Sequence, residues 1–296
     1  MKKGQASQTA DLAAAWRAAE SQKPENERVC YDPYAKCFLG GMYSLLGKSR
    51  LLTKIAMWYS DKVGPGASSN KVLSTRYIDD RLKACIDDGI KQLVILGAGY
   101  DTRAYRFKEL RGRVKVFEVD HPDTQRAKIE KVKKVFGTLP EYVVYVPVDF
   151  EKERLDRRLF ESGYKKDLKT LFIWEAVTSY ITPQAVDETL AFVANNSGEG
   201  SSIVFDYIYK SVVDGTCERK GAKESREALA RRGEAYRFGI EEGTIQEFLP
   251  QRGFLPIEIA NGEFLKNAYF KGKNENRVVL QWVEYVHAKV KPREHT

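Results

Sequence analysis

Apolar residues gather in five short runs between Gln92 and Ile208, each bounded by polar segments. The runs are QLVILG, VKVFEVD, YVVYVPVD, TLFIWEAV and SSIVFDYI. They are rich in β-branched side chains and apolar on both sides, the pattern of strands buried on two faces. The segments between them, DTRAYRFKEL, HPDTQRAKIEKVKKVF, EKERLDRRLFESG and TPQAVDETLAFVANN, have helical character. Strand and helix alternating in this way predict an α/β fold, a parallel sheet with helices on both faces.

The flanks have a different pattern. DLAAAWRAAES and YIDDRLKACIDDG space their apolar residues helically, GPGASSN reads as a flexible break between them, and no strand precedes Gln92. A helical cap over 1–90 and an α/β domain over 91–296 follow. After Tyr209, KESREALARRGEAYRFG reads as a charged helix or lid, so a lid insertion is expected at about 208–240. TIQEFLPQRGFLPIEIA reads as helix, turn and strand, and NRVVLQWVEYVHAKV as a long final strand. Reached by a short connection, that strand is expected as an antiparallel addition at the sheet edge.

Composition narrows the function classes. The 296 residues are 43% hydrophobic and 30% charged, as in ordinary soluble globular proteins. No apolar run approaches the roughly 20 residues that span a bilayer, and MKKGQASQTADLAAAW lacks the apolar core of a signal peptide. A cytoplasmic protein with no membrane partner is expected. Cys30, Cys37, Cys85 and Cys217 form no C-x-x-C pair, and the three histidines, His121, His287 and His295, do not cluster. No metal site or disulfide framework is predicted. The net charge of +8 sits largely in surface runs such as KIEKVKK and KVKPREHT, without aromatic interleaving, so nucleic acid is not an expected partner.

The turn after the first strand, Gly97-Ala98-Gly99, gives backbone room for a ligand. A dinucleotide site would place a third glycine where Thr102 stands, and Asp101 at the helix start would repel a phosphate. The second strand ends on Glu118 and Asp120, and a carboxylate there can accept both hydroxyls of a ribose. The third ends on Asp149, which can accept an adenine amine while Phe150 covers the ring. Adenine, ribose and no phosphate describe S-adenosyl-L-methionine. Its carboxylate calls for a guanidinium, and Arg76 lies on a helix just before the glycine turn. Asp101 and Arg103 are expected to cap and pair within their own helix.

At this point LVILGAGYDTRAYRF, VFEVDHPDTQ and LFIWEAVTSYIT, with ERVCYDPYAKCFL and STRYIDD before them, resemble the leucine carboxyl methyltransferase family. The likeness runs from about Arg28 through Tyr209 and weakens toward Val290. It implies a class I methyltransferase fold: a Rossmann-like seven-stranded sheet, the last strand antiparallel, with N-terminal helices over the site. It also implies roles. Arg76 would hold the cofactor carboxylate with Arg28 as a second cation, and Gly97 and Gly99 would lie under the methionine part. Asp120 would take the ribose, and Asp149 with Phe150 the adenine. Glu175 would sit near the cofactor amine or the acceptor, which Tyr180 would face; these two are the catalytic candidates. The segment from Lys210 to Gly243 departs from the family, so phosphatase methylation does not follow.

Methyl transfer from a sulfonium is an in-line displacement that depends on alignment. A carboxylate acceptor is already ionised, whereas a hydroxyl usually needs a base. His121 falls on the ribose side, His287 reads as a packed strand residue and His295 lies in the tail. The shortage of a base favours a carboxylate acceptor. The activity expected is O-methylation of a small-molecule or peptide carboxylate or hydroxyl. The rival readings are a non-catalytic S-adenosyl-L-methionine-binding protein and a nicotinamide-dependent oxidoreductase.

Overall fold

A computed structural model describes residues 8–40, 43–44, 50–150 and 152–292. The expectations for the first seven residues and for His295 lie outside them. Three helices come first: α1 (Gln8–Ser21), α2 (Arg50–Val63) and α3 (Ala67–Asp87). The alternating region follows as β1 (Gln92–Leu96), α4 (Arg103–Arg106), β2 (Lys115–Asp120), α5 (Pro122–Phe136), β3 (Val143–Pro147), α6 (Leu155–Glu161), β4 (Thr170–Trp174), α7 (Pro183–Asn195) and β5 (Ser202–Ile208). The chain ends with α8 (Lys210–Asp214), α9 (Ala222–Arg231), α10 (Ile245–Phe248), β6 (Phe254–Asn261), α11 (Gly262–Tyr269) and β7 (Val283–Val290).

The five apolar runs are the first five strands. β1 and β4 are buried at every position, as strands covered on both faces must be. The sheet order is β3-β2-β1-β4-β5-β7-β6. Only β7 runs against the others, pairing antiparallel with β5 and with β6. Strand order reverses between β1 and β4, which opens a crevice at their carboxyl ends. Helix starts are fixed locally. Pro122 and Pro183 open α5 and α7, and the Thr182 hydroxyl accepts from the Ala185 N–H at 3.1 Å.

Four sequence expectations change. The charged helix after the glycine turn is a single turn, α4, followed by a 3-10 turn at Lys108–Leu110. The break at GPGASSN is confined to 64–66, because Ala67–Asn70 form the first turn of α3. Residues 276–282 are loop rather than strand, tied by Arg277 to Glu20 at 3.0 Å and to Ser69 at 3.2 Å. Finally, β7 is not the edge strand. The connection from β6 carries α11, which lets the chain return between β5 and β6 and leaves β6 outermost.

Candidate functional site

A cavity of about 590 Å³ opens at the carboxyl ends of β1, β2, β3 and β4, roofed by α1 and the loop after α9. Its floor is the Gly97–Gly99 turn. Gly97 adopts φ 68° and packs so closely that a Cβ there would lie 2.2 Å from Val177 Cγ2. Only glycine meets both demands. The turn is braced from within the chain. Asp120 accepts from the Gly99 N–H and, at 2.6 Å, from the His121 N–H. Lys128 Nζ donates to the Ala98 carbonyl at 3.3 Å and pairs with Glu118 at 2.9 Å. Burial pushes the Asp120 carboxyl upward despite those two backbone donors.

Gly97, Gly99, Asp120, Asp149, Phe150, Glu175 and Tyr180 all line this cavity. Asp149 pairs with Lys152 at 2.6 Å, and His121 stands 3.9 Å from its carboxylate. Glu118, the other acid of β2, is fully buried away from the cavity between Lys128 and the Tyr105 hydroxyl. Asp101 and Arg103 pair with each other, the Arg103 N–H donating to Asp101 at 2.7 Å. Burial raises the Asp101 carboxyl, but Arg103 and Lys128 outweigh it and hold it below the usual range.

The two arginines expected at the site are elsewhere. Arg76 is half exposed and pairs with Asp80 at 3.0 Å. Arg28 pairs with Glu25 and stacks on Tyr31. Neither lines the cavity. The cations that do include Arg17 of α1 and Lys71 of α3. Arg17 is held by Asp32 at 2.8 Å and by the Tyr100 carbonyl. Five residues at about 100° each put Arg76 roughly 140° around α3 from Lys71, which explains why one faces in and the other out.

Glu175, just past β4, is the hub of the wall. It accepts from Lys71 at 2.6 Å, from the Ser74 hydroxyl at 2.6 Å and from Arg103 at 2.9 Å. Burial opposes its charge, yet Lys71 and Arg103 hold the carboxyl well below the usual range. Burial also lowers the Lys71 ammonium, against the pull of Glu175.

Sequence reasoning missed Asp206 of β5. Its carboxylate accepts from the Ala176 N–H at 2.5 Å. That bond fixes Ala176 at φ 57°, the one non-glycine residue with positive φ among those described. Burial, with Glu175 nearby, pushes the Asp206 carboxyl up to about 7. It shares an electrostatic neighbourhood with Tyr180 and Tyr236, whose rings lie 5.6 Å apart. The missed signal was an acid inside the apolar run SIVFDYI. His287 is a packed strand residue, 3.2 Å from the Ser202 hydroxyl, and burial lowers it to about 4. Among the described residues no group of acids, histidines and cysteines could hold a metal, and no helix is long and apolar enough to cross a membrane.

The loop after α9 closes the cavity mouth. Thr9 donates to Glu234, the Arg237 N–H donates to the Ser179 carbonyl at 2.7 Å, and Tyr236 stands 3.0 Å from the Ser225 hydroxyl.

Comparison with known proteins gives a consistent picture. The family model for leucine carboxyl methyltransferase matches residues 10–194. YktD of Bacillus subtilis, which carries the name of an S-adenosyl-L-methionine-dependent methyltransferase, is 32% identical over 200 residues, 68% of this chain and 66% of its own length. A similarly named protein of Mycolicibacterium paratuberculosis is 30% identical over 203 residues, 66% of this chain and 64% of its own. The chain thus spans just under two thirds of these relatives. A methyltransferase structure from Thermobifida fusca superposes with a TM-score of 0.61 at 11% identity, covering 98% of this chain and 97% of that one. A DUF574 family protein from Streptomyces avermitilis gives 0.58 at 13%, covering 95% and 97%. These two share the class I methyltransferase fold with this chain.

Proposed function

This chain belongs to the leucine carboxyl methyltransferase family, and on that footing we propose that it is an S-adenosyl-L-methionine-dependent O-methyltransferase acting on a small-molecule or peptide carboxylate or hydroxyl. The observation that carries the reading is the cavity floor: a glycine turn braced by Asp120, with Asp149 and Phe150 beside it and an acid, Asp101, where a dinucleotide site would want none. That donor set suits a phosphate-free adenosine with an amino-acid tail, and the names of the relatives agree.

In this reading Asp120 accepts the ribose hydroxyls, Asp149 the adenine amine, and Phe150 covers the ring. Arg17 and Lys71 take the carboxylate-binding role first given to Arg76 and Arg28. Glu175 keeps Lys71 and Arg103 in place and presents its remaining capacity to the ammonium. Bound there, S-adenosyl-L-methionine supplies an electrophilic methyl group on its sulfonium. Tyr180 lines the acceptor side, with Tyr236 packed 5.6 Å behind it, under a lid formed by α9 and residues 233–237. For the hydroxyl alternative, a carboxyl of raised affinity for a proton is Asp206, which does not itself line the cavity but accepts from the N–H of Ala176, which does. A carboxylate acceptor leaves that group idle.

Calorimetry with S-adenosyl-L-methionine and S-adenosyl-L-homocysteine tests the cofactor, and binding to neither ends the proposal. Incubating cell extract with methyl-labelled cofactor and the protein, followed by mass spectrometry, tests the acceptor. Cofactor binding without any labelled product would favour a non-catalytic binding protein.

A further inference from the structure

The helix α2 is oriented against the usual rule for a surface helix. Thr53 is buried, while Leu51, Ile55, Trp58 and Tyr59 are 68, 54, 59 and 64% exposed and Leu52 46%. These five are nearly half of the eleven large apolar side chains exposed among the described residues, so the patch is concentrated and not scattered. At about 100° per residue they fall within an arc of roughly 120°, and Thr53 lies almost opposite its centre. The helix thus docks on the protein through Thr53 with the half-buried Ala56 and Met57 beside it, and presents its larger apolar stripe outward.

The charges of α2 beside the stripe are mainly positive. Lys54 and Lys62 are exposed, and Lys62 Nζ sits 4.2 Å over the Trp58 ring. Asp61, the only acid of α2, is engaged by the Ser68 hydroxyl at 2.5 Å. In sequence, Lys48 and Arg50 add two further positive charges just ahead of the stripe. Leu51 and Ile55 toward the centre, Trp58 and Tyr59 on either side of them, and Lys54 beside the stripe with Lys62 at its C-terminal end make up the composition of a helix that lies in a lipid interface. The long lysine stems can reach headgroups while their apolar neighbours sink below them. A second copy of the chain fits less well, since a two-fold contact would set these lysines against themselves.

We infer that α2 is an interfacial helix that docks the protein on an anionic lipid surface, through Leu51, Ile55, Trp58 and Tyr59 in the acyl boundary and Lys54 and Lys62 on the headgroups. This is peripheral attachment, which needs no spanning helix, and it revises the sequence expectation of no membrane partner. Only residues 64–66 separate α2 from α3, which carries Lys71 of the cavity wall. The docked face is therefore directly linked in sequence to one side of the site.

Vesicle co-sedimentation of the full chain tests the proposal. One set of vesicles contains equal parts phosphatidylcholine and phosphatidylglycerol, and the other phosphatidylcholine alone. The protein should pellet with the anionic vesicles at low salt, and much less with neutral ones or at high salt. Leu51→Ser with Trp58→Ser should weaken pelleting roughly tenfold, with an unchanged thermal melt by circular dichroism. Lys54→Glu with Lys62→Glu keeps the stripe and should also weaken it, which guards against a misfolded first variant. No pelleting with anionic vesicles, equal pelleting with neutral ones, or full retention by both variants would overturn the inference. Self-association in sedimentation velocity that the serine variant abolishes, without vesicle binding, would instead assign the face to a second copy.

Discussion

Lys71 and Glu175 meet at 2.6 Å across the cavity wall, one from the second turn of α3 and the other from the end of β4. Glu175 also holds Arg103, so one carboxylate balances two nearly buried cations. Glu175→Gln should cost about 3 kcal/mol of stability, because it takes from Lys71 the carboxylate it pairs with and leaves Arg103 to Asp79 and Asp101 alone. Urea unfolding checks this, and a loss below about 1 kcal/mol would mean that water already screens the group. The pH sign follows from the lowered carboxyl. Its stabilisation is complete above its unfolded value of 4.5 and drains away as the solution is acidified further. The wild type and Glu175→Gln should therefore converge in stability below that point.

The Asp120 carboxylate holds the Gly99 and His121 N–H groups and is the proposed ribose acceptor. Asp120→Ala should weaken S-adenosyl-L-homocysteine binding at least roughly tenfold by calorimetry. Unchanged affinity would remove the ribose assignment.

Arg17→Ala should weaken cofactor binding by roughly tenfold or more, and Arg76→Ala should leave it unaltered. The paired measurement separates the cavity cations from those the sequence first suggested. Equal losses at the two positions would contradict the placement of Arg76 outside the wall.

Burial raises Asp206, so its sign is opposite to that of Glu175. The folded chain holds a proton there that the unfolded chain releases near 3.8, and stability falls as pH rises from that value to about 7. Asp206→Asn should be more stable than wild type at pH 8 by on the order of 1 kcal/mol, and the gain should vanish in acid. With a hydroxyl acceptor, the wild-type rate should rise through an inflection near 7 that the variant lacks. A shared pH profile would free Asp206 from any role in proton transfer.

The strands and the glycine turn were legible because their signals are local: β-branched runs and the constraint on Gly97 both sit in a few consecutive residues. The order of the last two strands was not, since it depends on a return path through α11 that no periodicity records. The same distinction applies within the site. Asp120 ends β2 and Asp149 lies two residues past β3, so their place at the cavity could be read from the strand pattern. Arg17 sits among small residues in AAAWRAA, and only the packing of α1 on the Tyr100 loop turns it inward. Arg76 was misplaced because sequence proximity to the turn says nothing of which side of α3 it occupies. Asp206 was hidden because a single acid in an apolar strand looks like a solvent-facing position until its neighbours are known. The outward stripe of α2 defeats the assumption that apolar residues at helical spacing point to the core.

The contact between Thr9 and Glu234 joins the first helix to a loop 225 residues later. Beneath it the floor is braced by Asp120 and Lys128 of the chain itself. A vessel with a rigid base and a light clasp changes its contents without remaking its walls. In the proposed reaction, spent cofactor leaves past α1 and the loop at 233–237, so a change of ligand asks for movement of this clasp and not of the turn below it.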